Sequence, residues 1–282
     1  MITRDLDSFA NGSAPPILPE GTRIVESKQA LSKSTLPGLD YALNPYVGCA
    51  HDCIYCFAPA ILGADRLKWA AEIGVRSNLP NLLAKEVLRK KGTIGLGTVT
   101  DPYQPIEREL LLTRKCLEVL VRSHLSLSVL TKSPLVTRDI DLLKRISKVE
   151  VGVTITGHEE KFAKVFEPGA PSPMARLNAV KELSREGLDT YVMIGPVIPN
   201  VSDSDVEAFF AQIAATGVKR VMLDRMRLRP GLMERFHSLP VMMPEFRRDF
   251  DNNVSSPGYF KDFCIQAERV CSKRDLRLEQ AF

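Results

Sequence analysis

The sequence lacks a long apolar run, because no stretch approaches the roughly 18 residues that are needed to cross a bilayer. Residues 1–19 carry acidic side chains early and have no apolar segment before Pro15, which argues against a signal peptide. Cysteine is scarce, and three of the six cysteines lie within eight positions. A disulfide framework would spread its cysteines through a shorter secreted chain. We therefore expect a cytoplasmic protein without membrane contact, whose clustered cysteines bind a metal.

Strong compositional bias is also absent. Hydrophobic residues make up 44% of the chain and charged residues 26%, which excludes a disordered, collagen-like or coiled-coil protein. The 38 Lys and Arg residues against 34 Asp and Glu residues give a net charge of +4, which permits an anionic partner without requiring one. The 282 residues match two average domains or one β/α barrel of about 200–250 residues.

Short apolar runs alternate with helical segments after residue 40. The runs cover residues 93–101, 125–132, 149–156, 190–199 and 218–227, and residues 43–47 form a shorter first strand. Runs this continuously apolar are typical of strands that are covered on both faces. About six β-α repeats predict an α/β fold with a parallel sheet, either a full or partial barrel or a doubly wound sheet.

The intervening helices carry recognisable signals. Residues 106–122 place apolar side chains at steps of three and four, which predicts one helix. A second helix covers residues 174–186 and ends before Gly187, and a third begins after residues 202–205, of sequence SDSD. From about residue 232 the alternation stops and prolines separate short helical pieces. We predict an N-terminal arm over residues 1–40, the repeats over 41–231 and a C-terminal helical cap over 232–282.

The most specific feature is a cysteine-rich loop. Cys49, Cys53 and Cys56 have the spacing CxxxCxxC, in which three thiolates can face one side of a loop and bind one metal centre. A structural zinc site needs four protein ligands, whereas three ligands suit a 4Fe–4S cluster with one iron open to a small molecule. The alternative is a zinc site closed by His51 or by Cys264.

Polar side chains follow several predicted strands at the point where each strand ends. They are Thr98, Thr100 and Asp101, then Thr131, Lys132 and Ser133, then Thr154 and Thr156. The carboxyl ends of parallel strands meet at one edge, so these groups converge beside the cysteine-rich loop. Lys132 directly follows a strand that should be buried, and a buried ammonium needs an anionic partner. That partner is a cofactor carboxylate, Asp101 or Asp139.

The loop and several later motifs resemble a known family. The motifs are NPYVGCAHDCIYCFAP, GTVTDPYQPIE, TKSPLVTRDIDLL, EPGAPSPMARLNAVKEL and GPVIP. Their residues and order resemble the radical S-adenosylmethionine (radical SAM) superfamily, and within it the DNA repair photolyase-like subgroup that is related to spore photoproduct lyase. The likeness covers about residues 38–230.

The resemblance implies a partial (β/α)6 TIM-like barrel over residues 41–231. It implies that Cys49, Cys53 and Cys56 hold three irons of a 4Fe–4S cluster and that S-adenosylmethionine (SAM) chelates the fourth. An electron donor of the flavodoxin or ferredoxin type reduces the cluster, and SAM is cleaved to methionine and a 5′-deoxyadenosyl radical that abstracts a substrate hydrogen.

The resemblance also assigns SAM contacts by position. Tyr55 and Ile198 contact the adenine, and Thr98, Thr100 and Asp101 approach the methionine moiety and its amine. Lys132 and Arg176 meet the carboxylate or ribose, and Thr154 and Thr156 line the ribose.

One stretch departs from the lyase pattern. Spore photoproduct lyases carry a hydrogen-donor cysteine at the end of the second strand, whereas residues 97–101 here read GTVTD, without a thiol. This departure argues against thymine-dimer reversal. Cys116 falls inside the predicted helix 106–122, where a packing role is favoured. Cys264 and Cys271 are a donor pair, part of a second cluster site or packing residues, and packing is favoured.

The C-terminal part holds a basic run. Arg225, Arg227, Arg229, Arg235, Arg247 and Arg248 lie among only Glu234 and Glu245 over residues 225–248. The run suits phosphates or an acidic substrate, or else forms a solvated rim. The expected function is a radical SAM enzyme acting on nucleic acid. The alternatives are a peptide, protein or small-metabolite substrate, a non-catalytic iron–sulfur carrier, and a zinc-binding module.

Overall fold

A computed structural model describes residues 18–241, 243–256 and 258–281, so most of the first half of the predicted N-terminal arm lies outside the described residues. The chain forms two compact units. The first contains the described residues up to His51 together with Ala58–Val151, and the second contains Asp52–Phe57 together with the described residues from Gly152 onward. In these ranges no helix is long and apolar enough to cross a membrane.

The first unit contains two sheets. Its strands are β1 (Thr22–Ile24), β2 (Ser32–Lys33), β3 (Tyr41–Leu43), β4 (Tyr46–Val47), β5 (Ile73–Val75), β6 (Thr93–Leu96) and β7 (Ser126–Thr131). Its helices are α1 (Ala58–Leu62), α2 (Leu79–Glu86), α3 (Glu107–Leu110), α4 (Leu112–Leu120) and α5 (Ile140–Leu143). Strands β3, β6 and β7 pair in parallel, with β2 antiparallel to β3, while β5 pairs with β1 and β4 in the smaller sheet.

The second unit continues the parallel pattern. Strand β8 (Val149–Thr154) begins in the first unit and ends in the second, and it is followed by β9 (Asp189–Val197), β10 (Arg220–Arg225) and β11 (Arg277–Gln280). The helices are α6 (Glu160–Phe166), α7 (Pro173–Arg185), α8 (Val206–Ala214), α9 (Leu232–His237), α10 (Pro244–Ser255) and α11 (Tyr259–Ser272). Strand β10 pairs in parallel with β9 and with β11. These pairings confirm the predicted α/β class.

Two predicted elements are divided in the structure. The predicted strand 43–47 is split into β3 and β4, which belong to different sheets, because Pro45 lacks an amide donor and Asn44 turns its side chain toward Val99. The predicted helix 106–122 is broken at Leu111, which has a φ of 54°. At this break the buried carboxylate of Glu107 accepts from the Thr113 amide at 2.8 Å, so it satisfies a free donor at the start of α4.

The structure agrees with the predicted helix caps and differs from the prediction in the C-terminal region. Helix α7 matches the predicted helix 174–186, and Asp205 caps α8 by accepting from the Ala208 amide at 2.9 Å, as expected. Strand β11 was not predicted, because residues 232–282 were expected to be helical; its pairing with β10 corrects that expectation. The division at residues 40 and 231 stays a prediction.

An aromatic cluster forms a core of the second unit. Its buried members are Phe162, Phe166, Ile198, Val201, Leu232, Phe236 and Phe250. The rings of Phe236 and Phe250 meet edge to face with centroids 4.9 Å apart. Because Ile54 and Tyr55 pack against this cluster, the aromatic core supports the second half of the cysteine-rich loop.

Candidate active site

The cysteine-rich loop is divided between the two units. Cys49 belongs to the first unit, and Cys53 and Cys56 belong to the second. None of the three cysteines is in a disulfide. In the part of the chain that the structure describes, no group of three or more His, Cys, Asp or Glu side chains is gathered in a metal-binding arrangement. The assignment of the three thiolates as iron ligands therefore stays a prediction from their spacing.

In the first unit, the loop is held by the segment that follows β6. The Thr100 hydroxyl donates to the Gly48 carbonyl at 2.5 Å. Gln104 binds both neighbours of Cys49: its Nε2 donates to the Gly48 carbonyl at 3.2 Å, and its Oε1 accepts from the Ala50 amide at 2.9 Å. The peptide groups on both sides of Cys49 are thus fixed by buried side chains.

Asp101 lies at the centre of a buried hydrogen-bond group. Its carboxylate accepts from the Thr131 hydroxyl at 2.6 Å and from the Lys132 amide at 2.7 Å, and it lies 3.3 Å from Nδ1 of His51. Although burial raises the pKa of this carboxyl, His51, Thr131 and Lys132 lower it to about 2. Asp101 is therefore ionised, and it joins the strand ends to the residue between Cys49 and Cys53.

The structure corrects the expectation for Lys132. Its side chain is half-buried rather than buried, because β7 ends one residue earlier, at Thr131. Asp139, one of its proposed partners, is bound instead by Arg114 and Arg138, each with its closest contact at 2.7 Å. The other proposed partner, Asp101, is contacted by the Lys132 backbone amide.

Thr98 also contacts a residue of the first unit. Its hydroxyl oxygen accepts from the side-chain amide of Asn44 at 3.0 Å, and the same Asn44 accepts from the Val99 amide. This contact links the end of β6 to the residue after β3. The predicted roles of Thr98, Thr100 and Asp101 toward methionine stay predictions, and each of the three side chains also has a protein partner.

In the second unit, the loop is held through Ile54 and Tyr55. The Ile54 amide donates to the Phe166 carbonyl at 2.9 Å, and the Ile54 carbonyl accepts from Nε of Arg235 at 3.3 Å. The Tyr55 hydroxyl donates to the carboxylate of Glu167. Desolvation, followed by the nearby Cys53 and Glu167, raises the pKa of Tyr55 well above its usual value, so the hydroxyl stays protonated and remains a donor.

Arg176 and Glu167 form a buried ion pair beside Tyr55. Arg176 is fully buried, its Nη1 lies 2.5 Å from the Glu167 carboxylate, and it also donates to the carbonyls of Pro171 and Thr154. Among the described residues, its buried Nη2 has no hydrogen-bond partner. An orphaned buried guanidinium donor fits a bound carboxylate or ribose hydroxyl, which is the role that the resemblance implies for Arg176.

The structure also places Thr154, Thr156 and Ile198. Thr154 is buried at the end of β8. The Thr156 hydroxyl donates to Glu167 at 3.1 Å. Ile198 is fully buried in the aromatic cluster. The contact between Ile198 and the adenine stays a prediction.

The other three cysteines are packing residues. Cys116 lies in α4, and Cys264 and Cys271 lie in α11, all with buried side chains. Burial raises the pKa of each thiol, that of Cys271 to about 11, so they are protonated at neutral pH.

Two residues of the site were missed by the sequence analysis. Gln104 and Glu167 both occur inside motifs that were quoted for the resemblance, DPYQP and EPGAP. The available signal was a polar side chain next to proline in an otherwise apolar context. Their partners, however, are about 54 and 112 residues away in the chain, beyond the reach of local pattern reasoning.

The fold and the site define an α/β protein with polar strand ends and a cysteine-rich loop after its first strands. The model of the radical SAM superfamily matches residues 43–213, more than half of the chain, and the chain belongs to that superfamily. Members of this superfamily use a 4Fe–4S cluster and SAM, and they need an electron donor. The protein is an enzyme of this class, which sets aside the carrier and zinc-module alternatives.

Similar proteins include two relatives and one solved structure, each of which matches more than half of this chain. An uncharacterized protein of Methanocaldococcus jannaschii is 38% identical over 180 residues, which cover 64% of this chain and 68% of the relative. The radical SAM Nalpha-GlyT isomerase of Pseudomonas phage M6 is 28% identical over 69% of this chain and 42% of the relative. The structure of spore photoproduct lyase complexed with dinucleoside spore photoproduct has a TM-score of 0.72 at 17% identity, covering 93% of this chain and 82% of that chain. This likeness supports the predicted fold.

Proposed function

We propose that this radical SAM enzyme abstracts a hydrogen atom from a nucleic-acid substrate. The observation that carries the proposal is a group of exposed arginines at and beyond the carboxyl end of β10, which we call the arginine rim: Arg225, Arg227 and Arg229. Carboxyl ends of parallel strands carry the active sites of β/α barrels, and clustered guanidinium groups bind phosphates. The dinucleoside in the similar lyase structure agrees with this substrate class.

Only part of the basic run is available for an anion. Arg227 pairs with Asp224 at 2.9 Å, and Arg247 contacts His237 at 3.0 Å. In contrast, Arg225 and Arg229 are exposed and have no ion pair among the described residues. These two guanidinium groups are therefore the proposed phosphate contacts.

Removing these two charges should weaken nucleic-acid binding in a salt-dependent way. We expect R225A/R229A to reduce the slope of log K against log salt concentration by about 0.7–0.9 for each lost phosphate contact. Fluorescence anisotropy with a labelled duplex and a labelled single strand measures this slope. R269A is the matched control, because Arg269 is exposed on α11 of the same unit. An unchanged slope in R225A/R229A, or an equal loss in R269A, contradicts the assignment.

The cofactor contacts proposed for this chain follow from its own residues. Cys49, Cys53 and Cys56 would hold the irons, Arg176 would offer its orphaned Nη2 to the carboxylate or ribose of SAM, and Lys132 would offer a second cation. When bound, the cluster and SAM would supply the radical chemistry by which a substrate hydrogen is abstracted. The protein orients SAM and excludes water and stray hydrogen donors, for which the buried apolar strands are suited.

Removing the Lys132 ammonium tests its proposed role. We expect K132A to weaken SAM binding by about tenfold or more, because a charge-assisted hydrogen bond is lost, while the iron content stays at the wild-type value. Anaerobic calorimetry measures binding, and iron analysis measures the cluster. K148A is the control, since Lys148 is an exposed lysine of the same unit. Equal SAM affinity in K132A and wild type removes Lys132 from the site.

Thymine-dimer reversal is not the proposed reaction. Residues 97–101, which follow β6, contain no thiol to return a hydrogen atom to a substrate radical. Cys116 is buried within α4 and does not replace it. We propose a reaction on nucleic acid that does not need a cysteine at this strand end.

Isotope transfer tests the substrate class. The reconstituted and reduced enzyme is incubated with SAM and with DNA, RNA, protein or metabolite fractions from cells grown on deuterated medium. We expect deuterium in 5′-deoxyadenosine with a nucleic-acid fraction. Deuterium transfer with the protein or metabolite fraction alone overturns the nucleic-acid proposal and supports the corresponding alternative.

A further inference from the structure

Gln104 makes an unusual pair of contacts around Cys49. Its side chain is fully buried, and its two amide atoms bind the two peptide groups that flank this cysteine. The Gly48 carbonyl precedes Cys49 and accepts from Nε2, and the Ala50 amide follows Cys49 and donates to Oε1. One side chain therefore fixes the backbone on both sides of a single residue.

The amide of Gln104 is itself held in one orientation. Its Nε2 also donates to the Thr100 hydroxyl at 3.2 Å, and this hydroxyl donates to the same Gly48 carbonyl. The main chain of Gln104 is anchored in the turn before α3, because its carbonyl accepts from the Glu107 amide at 2.9 Å. Gln104 therefore fixes the position of the cysteine-rich loop relative to the buried residues 100–104.

Only a side chain with both a donor and an acceptor at one end can make this pair of contacts. A carboxylate of the same length keeps the acceptor for Ala50 but places an oxygen against the Gly48 carbonyl, and an aliphatic side chain loses both bonds. The requirement explains why glutamine, rather than leucine or glutamate, occupies a fully buried site.

We propose that Gln104 is a positioning residue for the iron–sulfur cluster, which holds Cys49 in the geometry that ligates iron. The proposal rests on the assignment of Cys49 as an iron ligand under the proposed function. Gln104 acts through the backbone of Gly48 and Ala50 and does not touch the iron. Preorganised ligand geometry slows ligand loss, because the thiolate stays in place when an iron–sulfur bond opens.

The test compares three variants of the full chain after anaerobic reconstitution: Q104L, Q104E and T113V. T113V is the matched control, because Thr113 is fully buried in the same unit and its hydroxyl donates to Pro102, two residues before Gln104, without contacting the loop. The measurements are iron and sulfide per chain, the rate of iron release to a chelator, and the electron paramagnetic resonance (EPR) spectrum of the reduced cluster. Thermal unfolding of each apoprotein measures how much each substitution lowers the thermal stability of the fold.

We expect both Q104L and Q104E to release iron about tenfold faster than wild type and to broaden the EPR spectrum, because the first loses both hydrogen bonds and the second places a buried carboxylate against the Gly48 carbonyl. T113V should lose thermal stability but keep the wild-type release rate and spectrum. Wild-type iron release in Q104L overturns the proposal, and so does equally fast release in T113V, which would assign the effect to general destabilisation. No substrate is added, so the result is independent of the proposed nucleic-acid substrate.

Discussion

Replacing any one of Cys49, Cys53 and Cys56 with alanine is expected to abolish both the iron–sulfur cluster and the cleavage of SAM. Three thiolates are the whole protein ligand set in this assignment, so a variant with two cannot retain a site-differentiated cluster. The measurements are iron and sulfide per chain, the visible absorption of the anaerobically reconstituted protein, and 5′-deoxyadenosine formed after reduction.

The control for these variants uses the buried thiols. C116A and C271A remove cysteines that pack inside α4 and α11, so they should lose some stability but keep the wild-type iron content. A C49A, C53A or C56A protein that still carries a full cluster contradicts the ligand assignment. If C116A or C271A loses the cluster while circular dichroism shows an intact fold, the removed cysteine is a cluster ligand and our ligand assignment is wrong.

Breaking the buried ion pair is expected to cost about 3–5 kcal/mol of the free energy of unfolding. In R176M the Glu167 carboxylate, which is 2% exposed, loses its cation while it remains among buried groups. Urea unfolding of the apoprotein measures the loss. The single substitution R176M has a large effect because it leaves an uncompensated buried charge. The net contribution of the intact ion pair to the free energy of unfolding is smaller.

The double variant R176M/E167Q separates the two effects. A neutral glutamine can still accept from the Tyr55 hydroxyl, so we expect it to recover most of the stability that R176M loses. If the double variant is as unstable as the sum of the single variants, the two side chains are not coupled. SAM binding should remain weak in the double variant, since the proposed Nη2 donor of Arg176 is still absent.

Both halves of the cysteine-rich loop are held by contacts with buried residues. In the first unit, Gln104 and Asp101 contact residues 48–51, and in the second unit Glu167 and Phe166 contact residues 54 and 55. The first half of the loop, residues 48–53, has few apolar side chains of its own to bury, so buried polar groups order it. This arrangement accounts for several ionisable or amide side chains in the interior.

Several predictions failed where a distant partner changed a local preference. The periodicity of residues 106–122 fits one helix, yet the buried Glu107 carboxylate binds Tyr46 and Arg138, and the chain breaks at Leu111. Residues 277–280 show no strong strand pattern, yet the edge of β10 supplies them with a parallel partner. In both cases the deciding contact comes from a segment remote in sequence.

Short-range information was sufficient for the β-α alternation, the caps of α7 and α8, and the spacing of the three cysteines. Each of these depends on neighbouring side chains or on the number of residues between ligands. The contacts of Gln104 and the Glu167–Arg176 pair, and the burial of Ile198, depended on the folded chain. Hydrogen bonding and burial are properties of residues brought together from distant positions, and no local pattern specifies which distant group will meet them.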